Sequence, residues 1–413
     1  MNNYQRQRKI YDMLGEVYFG DAYSGIALSR HIGSVPPDDR AFVTRVFYGV
    51  IEKNNYLEYA VSHLTKSPPR PKIALILKIG LYQLYFTSQP DYAVVSSSVE
   101  LTKSIGKKQL AGFVNAVLKN YRGVVFPGKE NQLAYLTVQG GAPEWLASKL
   151  LRRYGFDFAC EMLTAKLPLL THIRHNPAKI SREEFEKKYA LTEKSSRGYY
   201  VTAEQMHKMQ PDEYTAQSLA SIYAAEFYIK GLTGGKTLDL CAAPGGKAVL
   251  MAQSGDFDVT ACDIHPHRLE LIEKYARRMG VSLTLHLNDA TVAEKSWIEA
   301  FGLVVCDVPC SGIGVAASKP DVMLRKTAEE CAALPELQKK ILDTAALYVK
   351  PGGRLCYSTC TVLQEENQDV VEEFLRGHGE FETEKADDDG VMSLFPNTDG
   401  CDGFFAARMR RRV

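Results

Sequence analysis

Four cysteines at matched spacing carry the densest chemical signal in this 413-residue sequence. Cys306 and Cys310 form one Cys-x3-Cys pair, within Leu303-Val304-Val305-Cys306-Asp307-Val308-Pro309-Cys310-Ser311-Gly312. Cys356 and Cys360 form a second, within Arg354-Leu355-Cys356-Tyr357-Ser358-Thr359-Cys360-Thr361. Two such pairs could ligate zinc. Cys306 and Cys356 lie inside apolar, strand-like runs, however, and would have to leave the core to do so, which makes them packing residues and leaves no metal site expected. Cys310 and Cys360 stand just beyond those runs, flanked by Ser, Thr, Pro and Gly, where a thiol is harder to explain as core filling. Ligands of an open α/β sheet bind outside the carboxyl ends of its strands, so one rim would carry Asp307, Cys310 and Cys360 together.

A second group of residues points to the same rim. Thr237-Leu238-Asp239-Leu240-Cys241 reads as a short buried strand that runs into Ala242-Ala243-Pro244-Gly245-Gly246-Lys247 and a helix from Ala248. Small residues and two glycines at a helix N-terminus let backbone N–H groups approach a ligand closely. The spacing is neither that of a phosphate-binding P-loop nor the Gly-x-Gly-x-x-Gly of dinucleotide enzymes. The next strand, Val259 to Cys262, ends in Asp263, placed to accept hydrogen bonds from a ribose diol. The third, Leu283 to Leu287, is followed by Asn288-Asp289. A single acid at a strand end is often only a helix cap. Two at successive ends after a Gly-rich loop favour a nucleoside pocket.

These residues need a scaffold, and the chain supplies three segments. Residues 1–125 read as helices: Phe42, Val43, Val46, Phe47 and Val50 form a stripe behind Asp38-Asp39, and Ile73 to Phe86 is apolar nearly all round, as for the central helix of a bundle. Tyr121 to Asn131 reads as a linker. Residues 126–230 continue that linker into a small α+β module expected to bind RNA: residues 143–230 mix short strands with helices, with Thr171-His172-Ile173-Arg174 alternating like a strand and Ser181 capping a charged helix. Residues 231–413 alternate strands with helices, predicting a doubly wound parallel sheet.

The net charge of +1 conceals an uneven distribution. Residues 1–125 hold 16 basic and 9 acidic side chains, residues 126–230 hold 14 and 12, and residues 231–413 hold 20 and 28. The acid excess lies beyond 361, mostly in Glu365 to Glu373 and Asp387-Asp388-Asp389. A basic first third suggests a polyanion partner. The first residues contain no apolar signal region, the longest apolar window is interrupted by Lys78, and nine cysteines is an odd number. These features predict a cytoplasmic, globular protein with no disulfides and no membrane partner.

Taken together, Asp239-x-Cys-Ala-Ala-Pro-Gly-Gly-Lys247, Asp307-Val-Pro-Cys-Ser-Gly312 and Ser358-Thr-Cys360 resemble the S-adenosylmethionine-dependent RNA cytosine-C5 methyltransferases. Residues 1–125, including Phe113-Val-Asn-Ala-Val-Leu-Lys119, look like a NusB-type RNA-binding domain, and Asp399 to Ala406 is similar to the family's closing strand. The resemblance implies an all-α NusB-like domain, a small α+β module and a Rossmann-like class I methyltransferase domain. It further implies that Cys360 adds to C6 of cytosine, that Cys310 helps remove the C5 proton or release product, and that Asp307 contacts the base near N3 and N4 and also borders the cofactor. By the same resemblance Cys241, Ala242, Ala243, Pro244, Gly245, Gly246 and Lys247 would wrap the methionine portion of S-adenosylmethionine. Asp263 would hold the ribose and Asp289 would face the adenine, with Arg268 nearby. The implied substrate is 16S ribosomal RNA and the implied state a monomer. The alternatives are a transfer-RNA methyltransferase and an inactive RNA-binding adaptor of the antitermination type.

Overall fold

The computed structural model describes residues 1–168, 170–192, 194–385 and 388–413, so Asp387 of the acidic run lies outside the described residues. The chain forms two compact units. The first comprises residues 1–164 with residues 319–325; the second comprises residues 165–318 and 326–413.

The first unit is helical. Its first seven helices are Asn3–Tyr18, Ser24–Ile32, Pro37–Glu52, Asn54–Leu64, Pro71–Phe86, Asp91–Ser104 and Ala111–Lys119. Helix Pro71–Phe86 is central, as its all-round apolarity requires: Ile73, Leu75, Ile76, Leu77, Ile79 and Leu81 are all buried in one core. The lysine within it is buried as well. Lys78 Nζ donates to Asn54 Oδ1 at 2.6 Å and to Glu58 Oε1 at 2.8 Å, so the ammonium enters the core with its partners. The stretch after Tyr121 packs on this bundle, with Phe126 stacked 3.9 Å from Tyr56. Helices Gln132–Val138, Glu144–Tyr154 and Phe156–Thr164 complete the unit, so that the segment 126–230 is shared between the two units. Residues 319–325 also pack here: Asp321 accepts from Ser24 N at 3.0 Å and Ser24 Oγ at 2.8 Å, Arg325 Nη2 donates to the Ala22 carbonyl at 2.5 Å, and Leu324 lies against the core.

The second unit holds two sheets. The smaller is antiparallel, with β1 (Thr171–His175) between β2 (Tyr199–Val201) and β3 (Tyr214–Ala216). The larger contains β4 (Gly234–Asp239), β5 (Asp256–Asp263), β6 (Thr284–Leu287), β7 (Phe301–Asp307), β8 (Val349–Thr359), β9 (Phe381–Thr383), β10 (Val391–Leu394) and β11 (Phe404–Arg411). Its order is β10-β11-β8-β7-β4-β5-β6, with β9 also paired to β11. Strands β4 to β8 are mutually parallel, as the alternating pattern predicts. The sheet as a whole is mixed, because β11 runs antiparallel to β8 and β9 and β10 pair antiparallel with β11. The purely parallel expectation is therefore corrected at one edge, where β9 to β11 follow one another without the long crossovers that parallel pairing demands.

Both faces of β7 and of the second half of β8 are covered, and alternation assigns each residue to a face. Val304 and Cys306 enter one core cluster with Leu355 and Tyr357, whereas Leu303 and Val305 enter another with Cys356. Cys306 and Cys356 are thus 0% exposed packing residues. Among the described residues no disulfide joins any cysteine, no group of three or more His, Cys, Asp or Glu is placed to hold a metal ion, and no helix is long and apolar enough to cross a membrane.

Candidate active site

Sequence spacing places the loop after β4 and the ends of β5, β7 and β8 on one carboxyl edge, and the structure follows that placement. Leu240 N donates to the Val305 carbonyl at 3.0 Å and Ala242 N to the Cys262 carbonyl at 2.8 Å, so the loop Leu240–Gly245 is tied to strands on both sides. Gly245 has φ +103°, and a Cβ there would lie 3.2 Å from the Tyr275 ring and 3.3 Å from Ile272. Only glycine fits this turn without strain, and it brings the backbone of the loop to the N-terminus of helix Gly246–Gln253.

The strand-end acids differ in their surroundings. Asp263 is 6% exposed, accepts from His265 N at 2.9 Å and lies 3.7 Å from Arg268 Nη1. Asp289 is exposed and accepts from Thr291 N at 2.9 Å and Thr291 Oγ1 at 2.7 Å; those hydrogen bonds hold its carboxyl below the usual aspartate range. Its neighbour Asn288, to which the sequence assigned no role, has a buried Oδ1 with no hydrogen-bond partner among the described residues. A glycine-lined loop, a buried acid at the end of β5 and an unpartnered carbonyl beyond β6 suit an adenosine-containing ligand with a polar amino-acid end.

At the centre of the edge, Asp307 joins the loop to the cysteines. Its Oδ2 accepts from Lys247 Nζ at 2.5 Å, and its Oδ1 accepts from Ser358 Oγ at 2.9 Å. Ser358 is itself held by the hydroxyl of the fully buried Tyr228 at 2.5 Å, a support with no sequence signature. Burial opposes the charge on Lys247, but Asp307 and then Asp239 outweigh it and raise the lysine pKa.

Asp239, 1% exposed at the end of β4, has its carboxyl pushed up from 3.8 to about 7, first by burial and then by the charge of Asp307. Between about pH 4 and pH 7 the folded chain therefore holds a proton that the unfolded chain releases, and stability falls as pH rises through that window. The full loss is about 4 kcal/mol. Asp239→Asn retains the acceptor for Cys241 N, and its stability advantage over the parent protein is expected to grow by up to about 4 kcal/mol between pH 4 and pH 8. Urea titrations at a series of pH values check this; an advantage that does not vary with pH would place the proton elsewhere.

Cys310 and Cys360, both partly buried, meet across the rim with Sγ atoms 3.2 Å apart, and Cys360 N also donates to Cys310 Sγ at 3.3 Å. The hydrogen bond with Cys360 and then burial hold the Cys310 thiol well above the ordinary cysteine range. These surroundings favour Cys310 as a neutral thiol. The turn after it is closed by Gly314, whose N–H donates to the Cys360 carbonyl at 3.0 Å and where a Cβ would come within 2.2 Å of the Gly403 carbonyl oxygen.

The sequence model of the family described as 16S rRNA methyltransferase RsmB/F matches residues 229–410, and that of the NusB family matches residues 5–122. A Bacillus subtilis protein named probable ribosomal RNA small subunit methyltransferase B is 32% identical, covering 95% of each chain. The chain belongs to the RsmB/F family. A Synechocystis protein of the same name is 29% identical over 97% of this chain and 98% of its own. The crystal structure of PH0851 has the same fold, with a TM-score of 0.79 at 22% identity over 98% of this chain and 99% of that one. This RsmB/F protein is an S-adenosylmethionine-dependent RNA methyltransferase whose first unit carries the NusB fold.

Proposed function

We propose that this enzyme methylates C5 of a cytosine in 16S ribosomal RNA through a covalent bond between Cys360 and C6. The observation that supports the reading best is the 3.2 Å approach of two thiols beside the Lys247–Asp307 pair. Cytosine C5 is a poor nucleophile until a thiolate adds to C6 and makes the ring an enamine. Cys360 supplies that thiolate, and Asp307 contacts the base near N3 and N4. S-adenosylmethionine supplies the methyl group as an electrophile. Cys241, Ala242, Ala243, Pro244, Gly245, Gly246 and Lys247 hold its methionine portion, Asp263 its ribose and Asp289 its adenine, with Arg268 and Asp307 at the margins.

The thiol pair supports a division of labour. While Cys360 is a thiolate, Cys310 remains protonated against it. Once the Cys360 sulfur is bonded to carbon, the first cause of the raised Cys310 pKa is gone while the Cys360 N–H still favours its thiolate, so that Cys310 can release its proton to solvent although burial continues to oppose it. Its thiolate then takes the C5 proton as the C6–Sγ bond breaks, which restores the aromatic ring and returns the Cys360 thiolate.

The small-subunit names of the relatives support 16S RNA as substrate, and the enzyme is read as a cytoplasmic monomer. Mapping 5-methylcytosine in RNA from a strain lacking the gene tests the substrate. Loss of one 16S methylcytosine is expected. A loss in transfer RNA would move the substrate, and no loss anywhere would leave an RNA-binding adaptor.

The basic first third is expected to make RNA binding steeply salt dependent. Residues 101–125 hold five basic and no acidic residues. Replacing Lys103, Lys107, Lys108 and Lys119 with Gln is expected to flatten the slope of log K against log salt by about 3. An unchanged slope would make these lysines solvated surface.

A further inference from the structure

The acid-rich stretch after Cys360 is not all solvated surface. Glu366 is 1% exposed and Asn367 3% exposed, at the turn between β8 and helix Gln368–Gly377. Glu366 Oε2 accepts from Ser311 N at 2.8 Å and from Gln338 Nε2 at 2.9 Å, and the same Gln338 nitrogen donates to the Pro309 carbonyl at 3.0 Å. The backbone on either side of Cys310 is therefore held through one carboxylate. Asn367 does the equivalent for the other cysteine: its Oδ1 accepts from Thr359 Oγ1 at 2.5 Å and its Nδ2 donates to the Thr361 carbonyl at 3.0 Å. Ser311 Oγ donates to Thr361 Oγ1 at 2.8 Å and joins the two loops directly. The Tyr357 hydroxyl donates to the Glu366 carbonyl at 2.5 Å, which fixes the turn to β8.

Two adjacent residues thus hold the neighbours of two thiols that lie 50 positions apart in sequence. A packing role alone does not explain the use of a carboxylate, because burying one with only two donors on one oxygen is costly, and Glu366 Oε1 has no hydrogen-bond partner among the described residues. A backbone N–H that must be held against movement does explain it, since a charged acceptor makes the stronger hydrogen bond.

We propose that Glu366 and Asn367 are positioning residues of the two-thiol site, Glu366 acting through the Cys310 loop and Asn367 through the Cys360 loop. The inference rests on the two-cysteine reading above. It goes further in assigning each residue to a different half of the reaction: loss of the Glu366 bonds impairs release of product from the enzyme, and loss of the Asn367 bonds impairs attack on the base.

The test uses the full-length enzyme with S-adenosylmethionine and labelled 16S RNA transcript, resolved on a denaturing gel beside single-turnover methyl transfer. Glu366→Ala is expected to accumulate denaturant-resistant enzyme–RNA complex while turnover falls by about 10²-fold, the scale of an ångström-sized misplacement. Glu366→Gln keeps an acceptor for Ser311 N and should restore most of the turnover. Asn367→Ala should slow methyl transfer by a similar factor with no trapped complex. Thermal melting of each variant identifies one that fails to fold, and Gln338→Ala, which removes the bond to Pro309 and leaves Glu366 in place, then stands in for Glu366→Ala with the same expected trapping.

Cys310→Ala in the same assay separates the two levels of the argument. If it traps complex while folded Glu366 and Gln338 variants turn over normally or lose attack and release alike, the positioning assignment is overturned and the thiol mechanism stands. If Cys310→Ala traps nothing, the two-cysteine reading fails first.

Discussion

Cys360→Ala enzyme is expected to lose methyl transfer by at least about 10⁴-fold, the scale on which removal of a covalent nucleophile is felt, and to form no complex with RNA that survives denaturant. Cys310→Ala should behave differently, because attack on C6 and methyl transfer remain open to it while the departure of Cys360 is slowed. That variant accumulates the complex. The contrast is sharp because a rival mechanism uses the same two thiols in the opposite order: the Pro309-Cys310 dipeptide is the kind of setting in which DNA cytosine methyltransferases place their nucleophile. A trapped band from Cys360→Ala with none from Cys310→Ala would reverse the assignment. Intact activity in both variants would return both thiols to packing.

The second large effect is expected at Asp307. This carboxylate receives Lys247 Nζ and Ser358 Oγ, one on each oxygen, and the lysine and aspartate side chains are only 15% and 25% exposed. Asp307→Ala leaves the largely buried ammonium with Asp239 and Cys360 to offset it. Removal of one partner from a buried pair costs about 3–5 kcal/mol, and the residual exposure together with Asp239 brings the expected loss to about 2–3 kcal/mol in urea denaturation. Methyl transfer should fall further, by about 10³-fold, as for loss of a preorganised polar group at a reacting centre. The double variant Asp307→Ala with Lys247→Met removes the stranded charge and should recover part of the stability with none of the activity. If Asp307→Ala unfolds at the parent urea concentration, the pair is solvent-screened and the support for Asp307 as the joint between loop and thiols is lost.

Much of this site was legible from residue types because strand ends and glycine turns leave local signatures. The loop Cys241 to Lys247, Asp263 at the end of β5, and Asp307, Cys310 and Cys360 near the ends of β7 and β8 all fall where apolar runs stop and small or polar residues begin. The packing roles of Cys306 and Cys356 followed from their position inside those runs. What escaped depends on contacts between residues far apart in sequence. Ser358 and Tyr228 support Asp307 through a hydrogen bond spanning 130 positions, and nothing near Tyr228 marks it for that task. Glu366 was hidden in a charged stretch whose other acids are all partly or fully exposed, since a count of acids does not distinguish the one that turns inward. The mixed edge of the sheet was missed for a related reason. A strand's direction is set by the length and path of its connection, and alternation of apolar and polar residues in β9 to β11 carries no sign of that direction.

Residues 319–325 have a consequence for the order in which the protein can be made. The helical unit is encoded almost wholly before Thr164, yet Ser24 and the Ala22 carbonyl obtain Asp321 and Arg325 only when a much later stretch of chain has left the ribosome. The first body to emerge is therefore finished late, after β7 and the Cys310 loop have been synthesised and before β8 and Cys360 have appeared. Nor can a single break in the gene give two whole bodies: a fragment starting beyond Thr164 carries Asp321, Leu324 and Arg325 without the surface that receives them, and one ending there lacks the piece that covers Ser24. The helical unit and the unit that carries the two thiols, which could otherwise be inherited, expressed or exchanged separately, are in this way stitched into one reading frame.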